Sequence, residues 1–156
     1  MMVFWQWIKT LFSKQQLYMR YRDYALFKNL GAFDLFLLDE RMHQRKFKKD
    51  EVIFETGYPL EVIYFVTSGE IRLQGLYYGS EEKIIGPGHY LGLLDMYHSE
   101  IRSSTAVAHT DVMVDAISQA DLMDYIHARP RCGLKILHTV CKDFCDLIFE
   151  EAAKAE

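Results

Sequence analysis

The chain has 156 residues, which suits one domain with short appendages, and half of these residues are apolar, which is enough for a sizeable core. The formal net charge is −4, so no overall positive field favours binding to nucleic acid. The three cysteines lack the spacing of a disulfide framework, and no window reaches the roughly 18 apolar residues of a membrane-spanning helix.

The first 22 residues predict an amphipathic helix that carries basic residues and no acidic one. Its apolar side consists of Phe4, Ile8, Leu11 and Phe12, flanked by Trp5 and Trp7. The short apolar stretch contains Lys9 and no small-residue cleavage site follows it, so a signal peptide is not indicated. The helix suits either contact with a membrane surface or packing within the protein or a dimer.

Residues 23–42 predict two short helices around a break at Asn29–Gly31. From residue 43 to 118 the pattern changes to short runs rich in Val, Ile, Phe and Tyr, separated by turns that contain Gly or Pro. We expect Ser68–Gly69 to close a hairpin. In DVMVDAIS, apolar positions alternate with Met113 and Asp115, as expected for a half-buried strand. Such spacing predicts an antiparallel, jelly-roll-like β-roll of about eight strands.

Residues 119–156 predict a pair of helices after the roll. The first has a capping serine, Ser118, and stops at Pro130; the second is longer. An apolar seam on the second helix consists of Leu137, Val140, Phe144 and Ile148. The chain therefore predicts an α+β fold that is mainly β, with residues 1–22 as an appendage to a domain at 23–156.

The stretch FKKDEVIFETGYPLEVIYFVTSGEIRL and the later GPGHYLGLLDM resemble the cyclic nucleotide-binding domain family, which includes the bacterial catabolite activators and the regulatory subunits of protein kinase A. The family typically has G-E-V-I-F-x-E-G-D, then a proline, then L-Y-x-V-x-S-G-x-V-R. The positions in register are Phe47, Val52, Ile53, Phe54, Gly57, Pro59, Tyr64, Val66, Ser68, Gly69 and Arg72, followed by Gly86, Gly88 and Gly92. The resemblance covers residues 25–150.

In this family, a phosphate-binding cassette runs from G-E to P-R-[ST]-A. The resemblance implies that Arg102 pairs with a phosphate and that Ser103 takes the hydroxyl position after it. The candidate ligand-binding residues are Gly92, Leu93, Leu94, Arg102, Ser103 and Ser104. The implied ligand is a cyclic nucleotide or another small anion, assisted by the amides at the start of a short helix that Gly92 opens.

The cassette departs from the family at Leu93, where the family has a Glu that accepts a hydrogen bond from the ribose 2′-hydroxyl. Leu cannot accept that bond, and a buried unpaired hydroxyl costs roughly 1–3 kcal/mol. That cost corresponds to a roughly tenfold to hundredfold loss of affinity. We expect Asp95 to lie on a different helix face and not to replace the Glu. The segment is therefore expected to keep an anion site and to lose the ribose site.

Purely structural interpretations of the same residues, without a ligand, stay open. Arg102 could be a surface residue paired with Asp95 or Glu100. Ser103, Ser104 and Thr105 could simply begin a strand. Leu93 and its neighbour Leu94 could be core residues that close the pocket.

No catalytic motif and no metal-spaced histidine pair occurs in the sequence, so we expect a non-enzymatic regulatory or sensor module without a metal. Regulators that resemble it continue into a winged helix-turn-helix after the long helix, and this chain reaches Glu156 without one, so direct DNA binding is not expected. A homodimer through the C-terminal helix is the expected assembly, in the cytoplasm or at the inner membrane face through residues 1–22. The alternatives are a ligand-free dimeric scaffold that binds a protein partner, and a peripheral membrane adaptor.

Overall fold

The computed structural model of the protein describes residues 19–75 and 79–154, which form two compact units. A helical unit contains the described residues up to Asp39 and those from Asp124 onward, and a β unit spans Glu40–Met123. Nearly all of the amphipathic helix predicted for residues 1–22 lies outside the described residues, so its use stays a prediction. None of the described helices is long and apolar enough to cross a membrane.

The described elements follow one another along the chain in the order that the sequence predicts, with helices before and after a run of strands. They are a 3-10 helix at Arg20–Asp23, α1 at Ala32–Asp39, β1 at His43–Phe47, β2 at Val52–Phe54, β3 at Val62–Ser68, β4 at Ile71–Gly75, β5 at Gly79–Ile85, β6 at Tyr90–Leu91, α2 at Leu93–His98, β7 at Ser104–Ala108, β8 at Val112–Ser118, α3 at Gln119–Ala128 and α4 at Pro130–Lys154.

Within its described residues, the β unit consists of two four-stranded sheets, with strand orders β1-β8-β3-β6 and β2-β7-β4-β5. Every pair of neighbouring strands is antiparallel. The predicted antiparallel roll, with its expected number of strands, is confirmed. Both sheets contribute side chains to one buried apolar cluster, because alternate residues of each strand face inward.

The expected alternation fails at Asp115 in β8. This side chain is 0% exposed, although its position predicts a solvent-facing residue. The hydroxyl of Thr67, on the neighbouring β3, donates a hydrogen bond of 3.4 Å to the Asp115 carboxylate. Asp115 is tolerated there because buried polar groups persist where they find hydrogen-bond partners.

The turn at Ser68–Gly69 does not close a hairpin, contrary to the sequence expectation. It joins β3 in one sheet to β4 in the other, so the chain crosses between the sheets. Gly69 has a φ of 81°, and a Cβ at this position would lie 2.2 Å from the backbone oxygen of Asp111. The sequence shows that a glycine turn is present but not which sheet the next strand joins.

In the helical unit, the chain between Asp23 and α1 forms successive turns instead of the first of the two short helices predicted for residues 23–42. The amide of Phe27 donates to the carbonyl of Tyr24 at 3.0 Å, which is a three-residue step typical of 3-10 geometry. Tyr21, 0% exposed, donates from its hydroxyl to Asp39 at 2.8 Å. The end of the predicted N-terminal segment is therefore part of this unit's core.

The two C-terminal helices begin as expected from their sequences. The hydroxyl of Ser118 accepts a hydrogen bond of 3.0 Å from the amide of Asp121, which caps α3. Pro130 is the first residue of α4, a position where the missing amide proton of proline costs nothing.

Candidate functional site

The segment from Gly92 to Ser104 folds as a short helix followed by a return to the edge of the roll. Gly92 precedes α2 with a φ of 101°, a backbone conformation that favours glycine. After α2, Ile101 forms an isolated antiparallel bridge with Pro59, and Ser104 begins β7. Because α2 has only 6 residues, its amides add little to an anion site.

Arg102 lies in the interior of the β unit, with 3% of its surface exposed. Its Nη2 donates a hydrogen bond to the backbone oxygen of Val62. Its Cζ lies 3.9 Å from the centre of the Phe54 ring and 5.7 Å from that of Tyr64. The interpretation of Arg102 as a surface residue is therefore excluded, and the two aromatic faces partly replace the hydration that its charge has lost.

One nitrogen of this guanidinium is unsatisfied. Nη1 of Arg102 is buried and has no hydrogen-bond partner among the residues that the structure describes. Burial lowers the pKa of Arg102, while Tyr64 and Asp95 act in the opposite direction. The group stays charged at neutral pH, since an arginine is not deprotonated in proteins. An unmade hydrogen bond on a buried charged group costs about 1–3 kcal/mol or more, so this donor has unused capacity to hold an acceptor.

The carboxylate of Asp95 lies inside the cassette, where sequence reasoning did not place it. Asp95 is 4% exposed, and its Oδ1 accepts hydrogen bonds from both the amide of Ser103, at 3.2 Å, and the Ser103 hydroxyl. The carbonyl of Asp95 also accepts from the amides of Ser99 and Glu100, at 3.0 and 2.9 Å, which turns the chain back after α2. An acidic residue within the glycine-led helix that precedes the R-S pair was the available signal.

Five of the six candidate residues line one small pocket. They are Gly92, Leu93, Leu94, Ser103 and Ser104. The pocket has a volume of about 60 Å³. Leu93 is 0% exposed, so its side chain belongs to the core, in agreement with the purely structural interpretation of this residue. This volume is well below the roughly 300–1,000 Å³ of typical ligand pockets.

Arg102, the sixth residue, lines a different and larger pocket of about 400 Å³. This second pocket has walls from β2, β3 and the loop between them, with Phe54, Tyr58, Pro59 and Tyr64 among its apolar residues. Charged side chains from Arg45, Glu55 and Glu61 also line it. The expected phosphate-binding Arg thus lines a different pocket from the serines and leucines, although a Cβ at Gly92 would lie 2.6 Å from its Nη1 and Phe54 lines both pockets.

Residues 19–75 and 79–154 contain no group of three or more His, Cys, Asp or Glu side chains that could hold a metal ion.

A separate candidate surface runs along α4. Of the four predicted seam residues, Val140 is 4% exposed and faces the protein, whereas Leu137, Phe144 and Ile148 are 41%, 42% and 49% exposed. Cys141 is exposed, so it takes the seam position that the sequence analysis gave to Val140. With Leu134, which is 68% exposed, the exposed seam has a 3-4-3-4 spacing and consists of Leu134, Leu137, Cys141, Phe144 and Ile148. That spacing is the one by which two helices pack side by side.

Comparison with known proteins agrees with this fold. Residues 44–129, more than half of the chain, match the sequence model of the cyclic nucleotide-binding domain. A protein of Rhodopseudomonas palustris that carries the name "putative potassium channel protein" is 28% identical over 115 residues, which cover 71% of this chain and 27% of that protein. The cyclic AMP receptor protein of Thermus thermophilus is 28% identical over 108 residues, which cover 67% of this chain and 50% of that protein.

Among solved structures, the catabolite activator protein of Thermus thermophilus superposes with a TM-score of 0.70 at 23% identity, covering 84% of this chain and 63% of that one. This likeness concerns the fold alone. The chain spans about a quarter of the first of the two curated relatives and half of the second.

Proposed function

Because the chain belongs to the cyclic nucleotide-binding domain family, we propose that it is a regulatory module that binds a small anionic ligand through Arg102 and performs no chemistry of its own. The observation that carries the proposal is the guanidinium of Arg102, 3% exposed, with Nη1 unpaired among the described residues. A buried cation with unused donor capacity is the feature that an anion would satisfy.

Altered ligand specificity is part of the proposal. Leu93 cannot accept a hydrogen bond from a ribose 2′-hydroxyl, and its burial leaves no room for that ribose beside it. The donors of Ser103 are already bonded to Asp95. Cyclic AMP is therefore a weak ligand or none, although relatives of this chain include a protein named as a cyclic AMP receptor.

The assembly we propose is a homodimer through the exposed seam of α4. The seam presents large apolar side chains to solvent, and a second copy of the same helix would cover them. The exposed thiols of Cys141 and Cys145 suit the reducing cytoplasm, which is the location we propose. The same seam favours a second candidate function, a ligand-free dimeric scaffold that recruits another protein.

Calorimetric titration separates these two functions. The intact chain is titrated with cyclic AMP, cyclic GMP, cyclic dinucleotides, inorganic phosphate and a set of small carboxylates. We expect saturable binding of at least one anion, and its loss in Arg102→Met, whose melting temperature is measured in parallel. If none of these anions gives a heat of binding, the sensor function is wrong and the scaffold function remains.

A further inference from the structure

We propose that the ligand held by Arg102 occupies the second pocket, between β2 and β3, and is a small aromatic monocarboxylate. The inference rests on the proposed function, since it needs an anion at Arg102, and it adds where that anion lies and what it is. It also moves the ligand site away from the serines and leucines of the cassette.

The space available favours the second pocket. The cassette pocket has about 60 Å³ and the second pocket about 400 Å³. A ligand that contains an aromatic ring needs a pocket within the roughly 300–1,000 Å³ range that ligand sites occupy. Opening the cassette to that size would expose Leu93, which is fully buried.

The occupied donors and the negative charge of the cassette also favour the second pocket. In the cassette, Asp95 accepts from both the amide and the hydroxyl of Ser103, and its negative charge repels a second anion there. Within the described part of the chain Nη1 of Arg102 has no hydrogen-bond partner, and a Cβ at Gly92 would lie 2.6 Å from it. Gly92 therefore packs directly against this nitrogen, and a side chain at this position would displace it. Arg102 also lines the second pocket, so an anion there would lie beside the same charged side chain.

The charges around the second pocket cancel, so they disfavour a ligand with more than one negative charge. Arg45 and Arg102 contribute two positive charges, and Glu55 and Glu61 contribute two negative ones. A monoanion adds to a balanced set, whereas the further charges of a phosphate monoester or a dicarboxylate would face the two glutamates. A carboxylate also matches the planar donor geometry of a guanidinium.

The walls of the second pocket indicate an aromatic body. The rings of Phe54 and Tyr64 stack with their centres 6.1 Å apart and an angle of 12° between their planes. The Arg102 guanidinium lies over the Phe54 ring. Tyr58 and Val52, which line the same pocket, are 60% and 49% exposed. A flat apolar ligand would cover these two side chains, because aromatic rings gain from offset or edge contacts as well as from burial.

The test uses the intact chain and three probes: benzoate, benzyl alcohol as its uncharged counterpart, and inorganic phosphate. Calorimetry should detect benzoate, while benzyl alcohol and phosphate should bind at least about tenfold more weakly, in keeping with the loss of a charge-assisted hydrogen bond. Val52→Trp fills the second pocket and should weaken benzoate binding by about tenfold or more. Ile84→Trp is the matched control, since Ile84 is a strand residue with 44% exposure outside this pocket, and it should bind benzoate like the unchanged chain.

Distinct outcomes would overturn the inference and the proposed function. If phosphate or a cyclic nucleotide binds in an Arg102-dependent way and benzoate does not, the proposed function stands and the inference fails. If Leu94→Trp, which fills the cassette pocket, removes benzoate binding while Val52→Trp keeps it, the ligand lies in the cassette and the inference again fails. If no anion binds the unchanged chain, both fail.

Discussion

The carboxylate of Asp95 accepts hydrogen bonds from both the amide and the hydroxyl of Ser103, so an internal anion occupies both donors of a residue that the sequence predicted to hold a ligand. Asp95 comes from α2 and Ser103 from the segment that leads into β7, and their contact closes the loop between these elements. The cassette is thereby held closed by its own side chains, while Arg102 donates to the backbone oxygen of Val62.

Asp95→Ala should lower the free energy of unfolding by about 1–3 kcal/mol, because it leaves the Ser103 amide without its acceptor in a largely buried site. Ser103→Ala should cost less, since the amide bond to Asp95 remains. Urea denaturation of both variants and of the double variant gives the coupling energy. Costs that simply add, with no coupling, would mean that the hydrogen bond from the Ser103 hydroxyl to Asp95 contributes nothing to stability.

Leu93→Glu should destabilise the fold and should not restore binding of cyclic AMP. Leu93 is 0% exposed, so the substitution places a carboxylate in an apolar site. Burial raises the pKa of such a group above its unfolded value and penalises its charged form. The penalty is therefore absent below about pH 4 and grows as pH rises, towards about 4 kcal/mol.

Melting temperatures of Leu93→Glu and of the size control Leu93→Met, recorded from pH 4 to pH 8, check this expectation. The difference between the two variants should widen as pH rises. A variant that melts like the unchanged chain at pH 8 and binds cyclic AMP would show that the cassette opens readily.

Phe144→Glu should convert a dimer of the unchanged chain into a monomer. Phe144 lies in the exposed seam of α4, and a second copy packed on it would bury an unpaired charge, which is strongly unfavourable. Phe149→Glu is the control, because Phe149 is 72% exposed on the same helix but lies outside the seam spacing. Sedimentation equilibrium distinguishes the two states, and a monomeric unchanged chain at micromolar concentration would refute the assembly.

The three thiols should react at different rates with iodoacetamide. Burial is the main cause that raises the pKa of Cys132, with Asp34 acting in the same direction, so its thiolate is scarce at pH 8. Cys141 and Cys145 are exposed. Cys132 should therefore be alkylated at least about tenfold more slowly than Cys141 and Cys145, and peptide mass spectrometry measures the three rates. Equal labelling of Cys132 in the folded chain would mean that the helical unit opens easily.

Removal of residues 1–18 should abolish co-sedimentation with anionic liposomes at low salt while leaving the melting temperature unchanged. The cut stops there because Tyr21 is fully buried and bonds to Asp39, so removing residues 1–22 should itself destabilise the helical unit. Neutral liposomes serve as the control. If the intact chain does not bind anionic liposomes either, the basic aromatic segment has another use.

The sequence by itself determined the class of fold and its family. Alternation of apolar residues, glycine turns such as Gly69 and the cap at Ser118 are local features, and each acts within a few residues of its own position. The 3-4 spacing on α4 was also readable, although spacing alone could not say whether Val140 or Cys141 completes the exposed face. A helix has a continuous surface, and only its packing partner decides which side is buried.

Tertiary structure alone decided the site. Arg102 and Ser103 are adjacent in sequence, yet Arg102 lies on Phe54 beside Val62 and Ser103 bonds to Asp95. Consecutive side chains of an extended segment point to opposite faces, so which face meets which pocket depends on strands far away in the chain. The crossing at Ser68–Gly69 has the same origin, because the sheet that a strand joins is set by long-range pairing and not by the turn that precedes it.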